Sequence, residues 1–242
     1  MQEIQNPKLK KLLKTIKQNN NGQFLPDNKQ LKELVRYEEI SLKRIDTSNI
    51  TNMRDVFKDS QREDFSGIED WNVSKVASFS YMFVNAQYFN VDISGWDTSG
   101  AKNFQGMFYR ASAFNQPIDK WNTSNATNMA SMFSQARNFN QPLQSWDMSN
   151  VIWIWDMFRG AESFNQPLNE WNISSVVKMQ NMFLNAKAFN QPLDKWNVSN
   201  VLDMRGLFSG AQSFNQDLSA WGDKIAKVRN MERAFTDTKS LN

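Results

Sequence analysis

Cysteine and histidine are both absent from the 242-residue sequence. Without cysteine the chain has no disulfide and no thiol chemistry. Without histidine it also lacks the Ser-His-Asp and Cys-His nucleophile systems, and the two absences together remove the common zinc sites. The phosphate-binding loops G-x-x-x-x-G-K-[S/T] and G-x-G-x-x-G are missing as well. These absences predict a protein that is not an enzyme, with no catalytic residues, no metal and no cofactor.

Long apolar runs are absent too. The N-terminal segment MQEIQNPKLKKLLKTIKQNN contains no signal-peptide core and no lipobox cysteine, and the sequence offers no transmembrane candidate. We therefore expect no membrane span and, for the chain as written, a cytoplasmic location. The lack of cysteine fits a reducing compartment, although many exported bacterial proteins share it.

What the sequence does contain is a strict period. Seven tryptophans recur at an unbroken spacing of 25 residues, and the sequence between them repeats almost as closely: Trp71, Trp96, Trp121, Trp146, Trp171, Trp196 and Trp221. A unit of this length cannot bury its apolar face alone, so it stacks on copies of itself. The period predicts a solenoid and places function on the surfaces of the stack.

Two apolar spacings coexist in each unit. From Val176 to Phe189 the apolar residues advance by three or four, which indicates a helical or tight-turn arc. From Leu193 through Trp196 to Val198 the spacing is three and then two, and the last pair alternates like a strand. We predict an α/β solenoid of about eight 25-residue coils, each with a short strand, a turn and a helical arc.

The repeated unit resembles a known family. The run Leu193-x-x-Trp196-x-Val198-Ser-x-Val201-x-x-Met204-x-x-Leu207-Phe208-x-x-Ala211-x-x-Phe214 is similar to the leucine-rich repeats of BspA-like bacterial surface proteins. It resembles most closely their mycoplasma-lipoprotein-type relatives, which are domains of unknown function. The resemblance covers roughly residues 42 to 242. It implies a right-handed, leucine-rich-repeat-like superhelix, surface-type recognition and a location at the cell surface.

Both ends of the stack are expected to be capped. Residues 1–41 lack the repeat and predict a helical cap, with one helix starting after Asn6 and a second capped by Asp27 or Asn28. Residues 42–242 form the predicted solenoid, in which Ile45 takes the first tryptophan place and the last coil is an irregular C-terminal cap. Residues 1–45 hold ten Lys or Arg against five Asp or Glu. These lysines are best explained as the solvated face of the cap, so we expect no nucleic-acid partner.

Three polar columns recur with the tryptophans. The serine column predicts turn and cap residues, and the asparagines from Asn90 to Asn215 predict side-chain ladders that satisfy backbone groups. In the column after tryptophan, Asp97 and Asp147 replace Asn and lie two coils apart, about 10 Å. That separation is close to an inverting glycosidase pair. A ladder in which Asp substitutes for Asn is the favoured interpretation.

Two tryptophans break the pattern. Trp153 and Trp155 occupy columns that otherwise hold mostly polar or small residues, so we predict that they lie outside the core. Arg159 follows Trp155 by four residues, and Tyr109, beside Arg110, shares its column two coils earlier. An exposed cluster of Trp, Tyr and Arg is the composition of a binding hot spot.

Packing of Trp155 over the small Ala130 of the preceding coil, with Arg159 stacked on the indole, explains the same residues without a ligand. Three functions stay open. The first is a non-catalytic module that binds a protein partner, the second is a carbohydrate-binding or carbohydrate-cleaving solenoid that uses Asp97 and Asp147, and the third is a structural spacer.

Overall fold

The computed structural model describes residues 4–238. Regular secondary structure is concentrated near the N-terminus: helix α1 spans Pro7–Leu13, strand β1 Lys17–Gln18, strand β2 Phe24–Leu25 and helix α2 Asn28–Leu34. Strands β1 and β2 pair antiparallel. Two 3-10 helices span Leu42–Arg44 and Ser219–Ile225. In the part of the chain that the structure describes, no helix is long and apolar enough to cross a membrane.

Both helices begin at the capping residues. The side chain of Asn6 accepts hydrogen bonds from the first N–H groups of α1, and Pro7 follows it. Asp27 caps α2 in a reciprocal box with Gln30, whose side chain accepts from the Asp27 N–H. Since α2 buries Leu31 and Leu34, it covers the apolar end of the first repeat.

Two contacts join this N-terminal segment to the repeats. Phe24 of β2 forms a parallel bridge with Ile45, the residue that stands in the first tryptophan place. The Arg62 side chain is only 4% exposed and donates to the carbonyl oxygens of Tyr37, Ile40 and Asp64. The guanidinium therefore ties the connection after α2 to the first repeat.

The repeats themselves contain neither of the predicted elements. Between residues 46 and 218, all of them described, there is no regular helix and no strand of two or more residues. The predicted helical arc is a series of tight turns in which Met82, Val84 and Ala86 donate their N–H groups three residues back. Tyr81 and Asn85 have φ angles of +59° and +55°, which an α-helix does not allow. Of the helical and tight-turn arcs that the sequence indicates, the structure has the row of tight turns and not the helix.

The arc forms turns and not a helix because of where its backbone N–H groups bond. Within one arc every second N–H, from Phe79 to Asn85, donates to a carbonyl oxygen of the following repeat. In an α-helix all of these N–H groups bond within the helix, whereas in a row of turns half of them bond to the next repeat. Apolar residues spaced by three and four are compatible with both arrangements.

Parallel pairing between repeats occurs in the arc and not in the tryptophan segment. The bridged column is Asn52, Ser78, Asn103, Asn128, Trp153, Lys178, Asp203 and Asn230. Around the tryptophans burial alternates as a strand would, with Trp96 and Thr98 inside and Asp97 outside. The Trp96 N–H, however, donates to Ile93 three residues earlier, so this segment is a turn.

The tryptophan column fills the core. Trp121 is 3% exposed and stacks between Trp96 and Trp146, with ring centroids at 6.3 and 6.5 Å and planes within 4°. Phenylalanines form parallel stacks beside it, as in the pair Phe108 and Phe133 at 5.7 Å. One apolar cluster runs through the described chain from the N-terminal helix to Ala234.

The C-terminal end is less covered. Met231 is 39% exposed, whereas Met204 at the same place one repeat earlier is fully buried. The predicted irregular last coil extends to Asn242, and its residues 239–242 lie outside the described residues, as do residues 1–3 of the predicted cap.

Candidate functional site

A cleft of about 330 Å³ opens on the turn face of the middle repeats. It contains four of the five residues that the sequence predicts as a binding patch, namely Tyr109, Arg110, Trp155 and Arg159. Tyr81, Ser131, Ser134, Gln135 and Asp156 complete the lining. The volume is at the small end of the range for ligand sites, so the cleft has room for a side chain or a sugar ring.

Small residues create the depression. Tyr81, Gly106, Ser131 and Asp156 succeed each other in one column at 25-residue intervals, and all four have φ between +54° and +60°. The Tyr81 ring lies on Gly106: a Cβ atom there would be 2.5 Å from the ring. Because Gly106 and Ser131 have almost no side chain, a trough remains between Tyr81 and the Asp156 repeat.

Trp155 is half-buried. Ala130, the small residue one repeat earlier in its column, is fully buried, and the N–H of Ser131 donates to the Trp155 carbonyl oxygen at 2.8 Å. The indole thus lines the cleft with part of its surface and is shielded from solvent over the rest. Arg159 is positioned by Asp156 rather than by a ring.

Asp156 and Arg159 form an ion pair on the cleft wall. Nη1 of Arg159 lies 3.8 Å from Oδ2 of Asp156. Burial raises the pKa of the Asp156 carboxyl above its usual value, and the Arg159 charge opposes this shift. Oδ1 of Asp156 is buried and has no hydrogen-bond partner among the described residues. A ligand therefore cannot reach Oδ1 without a rearrangement, and Oδ2 already has a cation beside it.

Two further arginines stack on the tyrosines of the cleft. The guanidinium of Arg110 lies 5.0 Å from the ring centroid of Tyr109, and that of Arg54 lies 5.1 Å from the centroid of Tyr81. Arg54 also pairs with Asp55 at 3.3 Å. Within residues 4–238, Arg110 has no carboxylate within ion-pair distance. Of Arg54, Arg110 and Arg159, Arg110 is therefore the one whose charge is not balanced by a carboxylate of the described residues.

Trp153 does not belong to the cleft. Its indole is 40% exposed, as the sequence predicts, but the residue lies in the bridged column between Asn128 and Lys178. Side chains of the bridged column lie apart from the cleft lining. The predicted five-residue patch is therefore divided into a cluster of four and a separate exposed indole.

The sequence reasoning missed Tyr81 and Asp156. Their column otherwise holds mostly small residues, Asn and Asp, which tolerate a positive φ: Asp55, Gly106, Ser131, Asn181, Gly206 and, in the last repeat, Arg233. A tyrosine in such a column is as strong a departure as Trp155 is in its own. The signal was present but required knowledge that this column is left-handed.

Asp97 and Asp147, the proposed glycosidase pair, have a local structural role. Each carboxylate accepts the N–H of the serine two residues later, Ser99 at 3.0 Å and Ser149 at 2.9 Å. The side chains of Ser99 and Ser149, followed by these N–H bonds, lower the pKa of the two carboxyls. A glycosidase general acid needs a raised pKa, and neither residue is placed to have one.

The asparagine ladder is present as predicted. Oδ1 of Asn140 accepts the backbone N–H of Asn165 at 2.9 Å, and the same bond recurs from Asn90 to Asn190. Glutamines such as Gln166 reinforce it by donating to the same oxygen. This surface is therefore already satisfied and offers few open polar groups to a ligand.

Comparison with known proteins gives one match. A family model described as Mycoplasma protein of unknown function, DUF285, matches the chain twice, over residues 29–146 and 131–242. Two successive matches to one model within a single chain indicate tandem repetition. No curated protein and no solved structure matches the chain.

Proposed function

The chain belongs to the DUF285 family of mycoplasma proteins of unknown function, and we propose that it is a non-catalytic recognition module that binds a protein partner through the cleft. In this proposal the stacked repeats form one right-handed solenoid related to the leucine-rich repeats of BspA-like surface proteins. The solenoid is a rigid scaffold, and residues that break the repeat pattern supply the binding groups.

The clustering of Tyr109, Arg110, Trp155 and Arg159 carries the proposal. These residues come from two different repeats and converge with Tyr81 on a single open cleft. Tyr, Trp and Arg are the residues enriched at binding hot spots, because each offers a large contact area and a polar group. An ordered stack of identical repeats has no structural need for them at these positions.

Panning of random dodecapeptides displayed on phage would test the proposal. We expect the wild-type protein to enrich peptides whose affinity falls by roughly 2 kcal/mol or more in the Trp155→Ala variant, in which Trp155 takes the residue of the preceding repeat. Trp153→Asn is the matched control. It removes an exposed indole outside the cleft and should leave affinity unchanged. Peptide binding that depends on Trp153 would contradict the cleft as the binding site, and the absence of any cleft-dependent peptide would contradict a protein partner.

A carbohydrate ligand is the second candidate. The cleft has the size of one sugar ring, and Trp155 and Tyr109 could stack on its apolar face. Screening of the same variants on a glycan array distinguishes the candidates: glycan binding that is lost in Trp155→Ala would establish this alternative. In either case we propose that Asp97 and Asp147 cleave nothing, so Asp97→Asn should leave any binding unchanged.

A further inference from the structure

Charge and shape in the cleft point to a more specific ligand, on the premise that the proposed recognition function is correct. We propose that the cleft takes an acidic segment of the protein partner, in which a carboxylate faces Arg110 and a neighbouring flat apolar side chain packs on Trp155.

The three arginines at the cleft differ in whether a nearby carboxylate balances their charge. Arg54 pairs with Asp55 and Arg159 pairs with Asp156, so each of these charges is balanced within its own repeat. Arg110 has no such carboxylate among the described residues and is exposed at the rim of the cleft. A guanidinium in this state recognises a carboxylate through charge-assisted hydrogen bonds.

The backbone at Arg110 adds a second observation. Its φ is +58°, in a column where the other repeats have Asp, Asn, Gln or Gly: Asp59, Asn85, Gln135, Gly160, Asn185, Gly210 and Asp237. Every repeat has this left-handed conformation, so it accounts for the small and amide residues of the column but not for an arginine. The Arg110 side chain is exposed and stacks on Tyr109, and this stack leaves the edge N–H groups of the guanidinium open to a carboxylate.

The aromatic rings also differ. Arg54 lies over the ring of Tyr81 and Arg110 lies over that of Tyr109, so both tyrosines already have a cation at one face. No cation is recorded over Trp155 within residues 4–238. The exposed part of this indole is therefore the surface in the cleft most available to a flat apolar group.

The polar groups favour a peptide over a sugar. Sugar hydroxyls need acceptors as well as donors, and the carboxylate that lines the cleft is engaged at Oδ2 by Arg159 and buried at Oδ1. The charged donors of the cleft are Arg110 and Arg159, and its remaining acceptors include the neutral side chains of Ser131, Ser134 and Gln135. A carboxylate therefore gains more from this cleft than a sugar hydroxyl does. An acidic peptide supplies acceptors both from its carboxylate and from its backbone carbonyl groups.

Two matched peptides test the proposal: acetyl-Gly-Phe-Glu-Gly-amide and the same peptide with Gln in place of Glu. Binding is followed through the indole N–H resonances of ¹⁵N-tryptophan-labelled protein. We expect the Glu peptide to shift the Trp155 resonance and not that of Trp153, and the Gln peptide to bind on the order of tenfold more weakly. Arg110→Gln should remove this difference, and Arg110→Lys should keep part of it.

Arg137→Gln is the matched control, because Arg137 is also an exposed arginine but pairs with Glu162 at 3.7 Å outside the cleft. Its preference for the Glu peptide should equal that of the wild type. Arg110→Gln places at this position the residue of the following repeat, Gln135, so its thermal unfolding should match the wild type and exclude misfolding as a cause.

Equal affinity for the two peptides would overturn the proposal. Binding of an oligogalacturonide, which is an acidic sugar chain, by a protein that binds neither peptide would also overturn it. Failure here is separable from failure of the proposed function. If phage panning yields Trp155-dependent peptides without acidic residues, the ligand class is wrong and the recognition function stands. If panning yields no Trp155-dependent peptide, the recognition function itself fails.

Discussion

The indole Nε1 of Trp121 donates a hydrogen bond to the carbonyl oxygen of Ile93 in the preceding repeat, at 3.0 Å. The same bond recurs for all seven tryptophans of the column, each reaching a residue 28 or 29 positions earlier. Each indole therefore fills the core and gives a second hydrogen bond to a buried carbonyl group that already accepts a backbone N–H. Phenylalanine in this column would fill the core but could not donate that bond.

Replacement of Trp121 should destabilise the protein strongly. We expect Trp121→Ala to cost about 3 to 5 kcal/mol, because it removes a buried ring from a continuous stack. Trp121→Phe should cost less, but more than the volume change alone, since the carbonyl of Ile93 loses one of its two donors and keeps only the Trp96 N–H. The neighbouring exposed residue provides the control: Asn122→Ala should cost below about 1 kcal/mol. Equal urea-unfolding midpoints for the Trp121 and Asn122 variants would contradict the assigned core face.

The asparagine ladder predicts an effect that depends on position. Oδ1 of Asn140 accepts the N–H of Asn165 and the Nε2 of Gln166. Asn140→Ala should destabilise by about 1 to 3 kcal/mol, because it leaves a backbone donor without its partner. Asn215, the last member, has no recorded bond to a following repeat within residues 4–238, so Asn215→Ala should cost clearly less. Denaturant unfolding measures both; similar losses would show that the ladder bonds do not carry the stability.

Arg62 should hold the N-terminal segment on the first repeat. Arg62→Met removes donors to the carbonyl groups of Tyr37, Ile40 and Asp64, and we expect a loss of about 2 to 4 kcal/mol together with faster hydrogen exchange around Ile40. Arg36→Ala is the comparison, since that side chain is 75% exposed and its pairing with Glu33 is a surface contact. It should change stability by less than about 0.5 kcal/mol. Unchanged exchange rates in Arg62→Met would refute the predicted role.

Glycine should be required at position 106, because the Tyr81 ring occupies the space where a side chain would lie. A methyl group there would overlap the ring of Tyr81, so we expect Gly106→Ala to destabilise by about 1 to 3 kcal/mol. The positive φ alone does not account for this, because Ser131 occupies the same column at +57°. Adding Tyr81→Ala should recover most of the loss in a double-mutant cycle. Gly95→Ala, with no atom within 4 Å, should be nearly neutral, and a loss there as large as at Gly106 would rule out the ring contact as the cause.

Asp156 should make stability depend on pH. Burial raises its pKa in the folded state above the unfolded value, so the folded protein holds the proton more tightly. Its contribution to stability is fully present below the unfolded pKa and is lost as pH rises through the folded pKa. Asp156→Asn, which copies Asn181 of the next repeat, should therefore be more stable than the wild type at neutral pH. The difference should shrink as pH falls towards about 4, and a less stable variant at neutral pH would contradict this account.

Much of the cleft lining could be predicted because departures from a repeat are visible in the sequence. Trp155, Arg159, Tyr109 and Arg110 were predicted from their columns, and the cleft brings these four together. Trp153 was predicted for the same reason, yet it lies in the bridged column and outside the cleft. Adjacent positions in a turn row project in different directions, and column membership alone does not give these directions.

The sequence by itself determined the 25-residue period, the inward tryptophan column, the asparagine ladder and the capped starts of α1 and α2. Each depends on residue type and spacing, which are local or strictly repeated. The tertiary structure decided the conformation of the arc, because spacings of three and four suit a helix and a row of turns equally well. Only contact with the next repeat, which accepts every second N–H of the arc, favours the turns. The same left-handed turn positions place Tyr81 over Gly106 and so create the cleft.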